Sequence, residues 1–467
     1  MMKKISLLLF CLVPIMVEAQ PSHLRLDHHA LADTSDLSEK MVNGIHQFLL
    51  ARMQKTAKDR TETWTEGMRS EITTPQFLTT QRNLLTNLLG IRGKREVPNM
   101  QIFSSLREKE IPLDKSEVQI DRLQWQVKGD LISEGLLVIP ADGVIKSSII
   151  MIPDAGISPE TLAGLAPHPW SWHGLAQRMA VQGHQVLIPA LINRDTTYSG
   201  SEILDKRTNQ PHREWLYKQG YELGRHLIGD EIEKIRSAID YFAQSIENSK
   251  PIKVMGYGEG GLIALLTGAL DTRVETTMVS GYFNTWENTY KEPIYRNLFG
   301  VLRNFGAAEV ATMHWPRKII IEHSPFPQIT NPRHVSPWQT AASPGIIQTP
   351  ELRIVENEFN KINQYTSHLE KHAHLINSTG DQHEPFSNGA IGVLLEEEFI
   401  AENISTLPHA AFDTKKINDR QKRLVKNLEH IYQKEITATE LQREEHFWKK
   451  INAEENSQEV FRTSLWE

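Results

Sequence analysis

The sequence predicts an α/β fold: a mostly parallel central sheet with helices on both faces, a helical arm before it and a helical extension after it. Three observations carry this. Short apolar runs at Ser147–Ile152, Gln185–Pro189, Ile252–Met255, Glu275–Val279, Lys318–Ile321 and His374–Ile376 are separated by helical stretches, as parallel strands with crossover helices require. Two alternating runs, Val118–Trp125 and Ser133–Ile139, precede them and fit a hairpin or meander. Finally, KVMGYGEGGLIAL at Lys253–Leu265 joins a buried strand to an apolar helix through a glycine-rich turn.

Taken in order, residues 1–19 read as a secretory signal peptide. Lys3 and Lys4 precede an apolar run, Ile5–Val17, and a Val-Glu-Ala step ends at Ala19. The expected location is periplasmic or secreted. Cys11 is the one cysteine of the 467 residues and lies inside that run, so the mature chain has no disulfide, thiolate ligand or thiol nucleophile. Residues 20–115 read as a helical arm or cap, with apolar residues at three-to-four spacing in Leu37–Thr56 and Phe77–Leu89. Residues 116–400 hold the sheet, and Leu216–Ser245 reads as one long helix. Residues 401–467 form a polar extension in which Lys415–Glu435 is helical. Its acids and bases are mixed, which fits a peripheral helix better than a nucleic-acid arm. Formal net charge is −7, with no long basic run, so nucleic acid is not the expected partner. No stretch after the leader is apolar enough over about 18 residues to span a bilayer. Oligomeric state is not legible.

The turn Gly256-Tyr257-Gly258-Glu259-Gly260 has the strand–turn–helix layout of a nucleophile elbow, G-x-S-x-G, with glycine at the serine position. Together with EGLL at Glu134–Leu137, PDAG at Pro153–Gly156, TNQPHREW at Thr208–Trp215, GRH at Gly224–His226, SGYF at Ser280–Phe283, EPIYRNLF at Glu292–Phe299, EHS at Glu322–Ser324 and ASPG at Ala342–Gly345, it resembles the α/β-hydrolases of the dienelactone hydrolase and acetyl xylan esterase type. More closely, the set resembles an exported bacterial group of hydrolase-like proteins whose elbow reads GYGEGG. The resemblance covers roughly residues 65–450. It implies an α/β-hydrolase fold with a carbohydrate or carbohydrate ester as ligand.

Candidate site residues follow. Glu322, ending a late strand, stands where the acid of a triad would stand, and His383 where its histidine would. Glu259 follows the vacant nucleophile position. It would serve acid–base work or hydroxyl binding if it faced a cleft, and would stiffen the elbow if it met a buried arginine. Asp154 follows the strand that normally borders the oxyanion hole, so Asp154, Glu259 and Glu322 could form a multi-carboxylate pocket. Arg194, after the strand Gln185–Pro189, suits a carboxylate or sugar acid. Tyr257, Arg213, His323 and Tyr295 complete the candidate substrate contacts. Arg213 and Arg225 lie twelve residues apart, so at least one is expected to be structural. Ser324 is a conceivable nucleophile but lacks an elbow. Asp381, His383 and Glu384 could hold a metal ion only by composition, and His28-His29 reads as loop. No metal motif, Rossmann fingerprint or P-loop is present, so no cofactor is expected.

The expected function is an exported hydrolase with atypical carboxylate and histidine chemistry on a carbohydrate or carbohydrate ester; the alternatives are a catalytically dead relative that binds a glycan or partner protein in the old cleft, and a scaffold.

Overall fold

A computed structural model describes residues 35–105, 118–166, 169–244, 250–332, 341–378, 384–400 and 413–449. The leader, Cys11, His28-His29, Asp381 and His383 lie outside the described residues. The chain divides into two units, residues 1–52 and 53–467. In the first, residues 37–52 are the start of a helix, α1 (Leu37–Gly67), on which Met41, Val42, Ile45 and Phe48 are exposed.

The second unit is built in chain order from α2 (Thr74–Leu88), β1 (Gln101–Ser105), β2 (Val118–Lys128), β3 (Leu131–Pro140), β4 (Ser147–Ile152), α3 (Pro159–Leu162), α4 (Leu175–Val181) and β5 (His184–Pro189). A small hairpin, β6 (Gly200–Ser201) and β7 (Lys206–Arg207), leads to α5 (His212–Tyr221) and α6 (Leu227–Phe242). Then come β8 (Ile252–Tyr257), α7 (Glu259–Leu270), β9 (Val274–Ser280), α8 (Ala307–Thr312), β10 (Lys318–His323) and the pair β11 (Ile329–Asn331) and β12 (Gly345–Ile347). The chain closes with α9 (Leu352–Tyr365), β13 (Ala373–Asn377), α10 (Asn388–Leu395) and α11 (Thr414–Arg443).

Among the described residues the main sheet has the order β1-β2-β3-β5-β4-β8-β9-β10-β13. The pairs β1–β2, β2–β3 and β3–β5 are antiparallel, and the remaining neighbours are parallel. This is the α/β-hydrolase-like fold the apolar runs predict, a mixed sheet flanked by helices with helical extensions at both ends. β4 is buried throughout, as a central parallel strand covered on both faces must be. α7 is buried along its whole length, so it runs apolar all round rather than along one stripe.

Three elements differ from expectation. The region before residue 115 contains β1 as well as helices, because Gln101–Ser105 finds an edge partner in β2. The helix expected over Leu216–Ser245 is two helices. Gly224 adopts φ +60 and ends α5, and His226 caps α6 by accepting from the amide of Ile228. α11 is less peripheral than its charge implied: Leu424, Val425, Leu428 and Tyr432 enter the main core, and Arg420 makes a buried bidentate pair with Glu160.

Sheet order fixes where a site can form. After β4 the chain turns toward β5, and after β8 it turns toward β9 on the other side. The crevice between the carboxyl ends of β4 and β8 is therefore the topological switch point, where open α/β sheets bind ligands. Ile152 pairs with Gly256, so Asp154 and Gly258 leave the sheet together, two residues later on each strand.

Candidate functional site

The turn from β8 into α7 is tight and has glycine at its most constrained position. Gly258 has φ 58 and ψ −117, a conformation strained for any residue with a Cβ. Gly260 permits the close packing of helix on strand, since a Cβ there would lie 2.2 Å from the carbonyl oxygen of Ile152. The space a side chain at 258 would need is occupied. A Cβ would fall 2.5 Å from Asp154 Oδ1 and 2.6 Å from Pro327 Cγ.

Asp154 fills this space because its carboxylate takes the hydrogen bond that an oxyanion hole would offer. The amide of Glu259 donates to Oδ1 at 2.9 Å and the amide of Gly156 to Oδ2 at 2.9 Å. Arg194 grips the same carboxylate with both terminal nitrogens, Nη2 at 2.8 Å from Oδ1. Burial opposes ionisation of Asp154, but the charge of Arg194 and the two amides outweigh it and hold the carboxyl down at about 2.

Glu259 points away from solvent into a nest of guanidiniums. It is fully buried and accepts from Arg296 Nε at 2.9 Å, Arg194 Nη2 at 3.2 Å and Arg213 Nη2 at 3.2 Å. Burial again opposes the charge, and Arg296, Arg213 and Arg194 overcome it, so the carboxyl lies below its usual range. Each arginine has a further anchor. Arg213 is bidentate to Glu231 at 2.8 Å per bond and bonds the carbonyl of Ile192. Arg296 pairs with Glu292 at 3.0 Å. Tyr295 accepts from Arg194 Nε at 3.0 Å and places its ring 5.2 Å from the Arg213 guanidinium carbon. Asp154, Arg194, Arg213, Glu231, Glu259, Tyr295 and Arg296 are all buried. The network thus ties together the loops after β4 and β5, the first turns of α5, α6 and α7, and the segment around Tyr295.

The other candidates stand apart. Glu322 ends β10, two strands from the elbow. Its carboxylate accepts from Ser280 Oγ and Ser387 Oγ, each at 2.5 Å, and from the amides of Phe386 and Ser387, each at 2.8 Å. Burial raises its pKa, and these neutral donors only partly offset that. Glu322 therefore pins the start of α10. His323 lies between Asn377 Oδ1 and the carbonyl of Pro350. Ser324 is buried, its Oγ 3.0 Å from Ser280 Oγ. Tyr257 packs its ring against Trp170, Trp172 and Phe386, with centroids 5.6, 6.4 and 6.1 Å away. Glu384 accepts from the backbone and hydroxyl of Ser171. Arg225 joins Asp230 and Glu435 at the α5–α6 joint. Among the described residues, no group of three or more His, Cys, Asp or Glu side chains is placed to hold a metal ion, and no helix is long and apolar enough to cross a membrane.

The structure therefore brings together Asp154, Arg194, Arg213, Glu259 and Tyr295, places Tyr257 beside them within reach of the charges of Asp154 and Arg194, and leaves Glu322 and His323 outside that cluster. Glu231, Glu292 and Pro327 were not among the sequence candidates for the elbow site, whereas Arg296, beside Tyr295 in a segment between sheet strands, was expected to be able to close over it. Glu231 lies on the next helix from Arg213, where no spacing rule points.

No protein-family model matches the chain, and no curated protein matches it. Solved structures show a distant likeness. A protein from Bacteroides fragilis assigned as an acetyl xylan esterase is 13% identical over 74% of this chain and 82% of its own, with a TM-score of 0.46. A glucuronoyl esterase from Solibacter usitatus is 11% identical over 76% and 93%, with a TM-score of 0.41. Acetyl Xylan Esterase 1 from Thermoanaerobacterium is 10% identical over 70% and 94%, with a TM-score of 0.40. Likeness this distant says nothing about activity. The fold assignment rests on sheet order and elbow geometry.

Proposed function

We propose that this chain is an exported, non-catalytic protein on a hydrolase-like fold, in which the acyl-transfer centre has become a structural keystone and the function is binding. One observation carries the reading: the Asp154 carboxylate lies where both a nucleophile's side chain and an oxyanion would sit. A fixed anion on the amide of Glu259 repels a second, developing anion, whereas an oxyanion hole stabilises one.

The competing reading, a carbohydrate or carbohydrate-ester hydrolase with carboxylate chemistry, needs a group that exchanges protons near neutrality. Asp154 and Glu259 are held as anions by arginines and are buried. A glycan or partner protein bound by this chain then meets a surface other than the floor of the old cleft.

The test is an assay of the purified protein on acetylated xylan, 4-nitrophenyl acetate and unesterified glycans. The expected result is no turnover above buffer, from wild type or from Gly258→Ser, whose hydroxyl would enter a space Asp154 already fills. Turnover by the wild type that disappears in a folded Glu259→Gln variant would overturn the proposal and restore the enzyme reading.

A further inference from the structure

The part of α1 that belongs to the first unit carries its apolar side chains on one face. Leu37, Met41, Ile45, Phe48 and Leu49 recur at helical spacing, and Val42 lies beside them. At 3.6 residues per turn the six cover about 140° of the helix surface. Each of them is 49–63% exposed. A helix of a globular protein ordinarily turns such a stripe inward. Further along α1, in the second unit, Trp64 shows that ordinary arrangement: its side chain is buried, and its Nε1 donates to the carbonyl of Asn304 at 2.9 Å.

The size of the stripe matters. Six large side chains about half exposed leave on the order of 600 Å² of apolar surface bare, at the top of the range for a monomer. Two copies that cover each other's stripe remove about 1,200 Å² in all, which reaches the lower bound of specific, stable interfaces. Such burial also meets a need of the helix. Val42, Gly44 and Ile45 are poor helix formers, and a segment as short as residues 37–52 is marginal in water without a packed face.

Charge narrows the occupant. From Met41 to Ala51 the sequence holds no Asp, Glu, Lys or Arg, so a charged partner finds no counter-charge there. Around the stripe Lys40 and Arg52 are balanced by Asp36 and Glu39, whereas helices drawn to anionic lipid have a polar face rich in Lys and Arg. A second copy of the same neutral stripe is complementary by identity, and a two-fold pairing closes without leaving a further apolar face. Gly44 borders the stripe, and a Cβ there would meet nothing within 4 Å, so another backbone can approach closely at this point.

We infer that the chain associates with a second copy of itself through the α1 stripe, Leu37–Leu49 of one copy lying on the same residues of the other. The inference rests on neither reading of the elbow, since the stripe contains no residue of that network.

Sedimentation velocity of the purified full chain over a wide range of concentration tests this. The expected result is a monomer–dimer equilibrium. The double variant Ile45→Glu/Phe48→Glu puts two carboxylates on the stripe and is expected to weaken the dimer about a hundredfold or more. Both side chains are exposed within one copy, so the variant should keep the wild-type circular dichroism spectrum. Asn43→Glu, at an exposed position on the opposite face of α1, is expected to leave the equilibrium unchanged. A wild type that stays monomeric throughout overturns the inference and means that the stripe is covered by its own chain or left bare. So does a dimer that Ile45→Glu/Phe48→Glu leaves intact, or one that Asn43→Glu weakens equally. Retention of a monomeric chain on phosphatidylcholine vesicles also overturns it, and would assign the stripe to a lipid surface.

Discussion

Two buried glutamates stand at strand ends of one sheet, two strands apart, and the protein holds them in opposite ways. Glu259 is compensated by charge, with three guanidiniums on one carboxylate. Glu322 is compensated by neutral donors, two hydroxyls and two amides, and among the described residues no cation is bonded to it. The consequence appears in their titration. Arginines lower the pKa of Glu259 against the effect of burial, while burial raises that of Glu322. A buried carboxylate is thus not one kind of object. Ringed by arginines it is a fixed charge that fastens loops together, and ringed by neutral donors it is a hydrogen-bonding post that tolerates a proton.

The contrast is broken most directly at Glu259. Replacing it with alanine leaves three buried guanidiniums facing one another without their shared anion. A loss of about 3–5 kcal/mol is expected, the range for breaking a buried pair from one side. Urea unfolding of wild type and Glu259→Ala measures it, and a loss below about 1 kcal/mol would mean the network is not a keystone.

Glu322→Gln should do less. Glutamine keeps one acceptor oxygen for the donors around it and removes a charge that burial disfavours. About 1–2 kcal/mol is expected from the bonds that are lost. An effect equal to that of Glu259→Ala would erase the distinction between the two sites.

The smallest and sharpest difference lies in pH dependence. Asp154, in the arginine network, has a folded-state pKa of about 2, below its unfolded value of about 3.9. Its stabilisation is full above pH about 4 and is lost as pH falls through about 2. The gap between wild type and Asp154→Asn should therefore narrow over that window. For Glu322 the sign reverses. A raised pKa means the folded state binds the proton more tightly, so wild type gains stability relative to Glu322→Gln as pH falls through the carboxylate range. Unfolding titrations of both variants between pH 7 and about 2, compared with wild type, distinguish the two slopes. Parallel curves would show that both carboxylates see the same surroundings.

Much of this architecture was legible before any coordinates. The apolar runs that became β4, β5, β8, β9 and β10 carry the signature of strands buried on both faces, while β13 closes the sheet as a half-buried edge. GYGEGG carried the turn, because glycine adopts the positive φ at 258 without strain and permits close helix–strand packing at 260. The break between α5 and α6 was less legible, since Gly224 sits inside a stretch whose apolar spacing continues across it. β1 was missed because an edge strand needs only one partner and little apolar character of its own.

What the sequence by itself determined is local: the strands, the turn, the glycine at 258, and a supply of carboxylates and arginines at loop positions. It also left the alternatives for Glu259 correctly stated, a cleft or a buried arginine. The tertiary structure decided between them. Arg194, Arg213 and Arg296 are 65, 46 and 37 residues from Glu259 along the chain. They meet at one carboxylate because β4 and β8 are neighbours at the point where the sheet's connections diverge. Electrostatic partnership depends on distance in space, and between such remote segments only the packed sheet sets that distance.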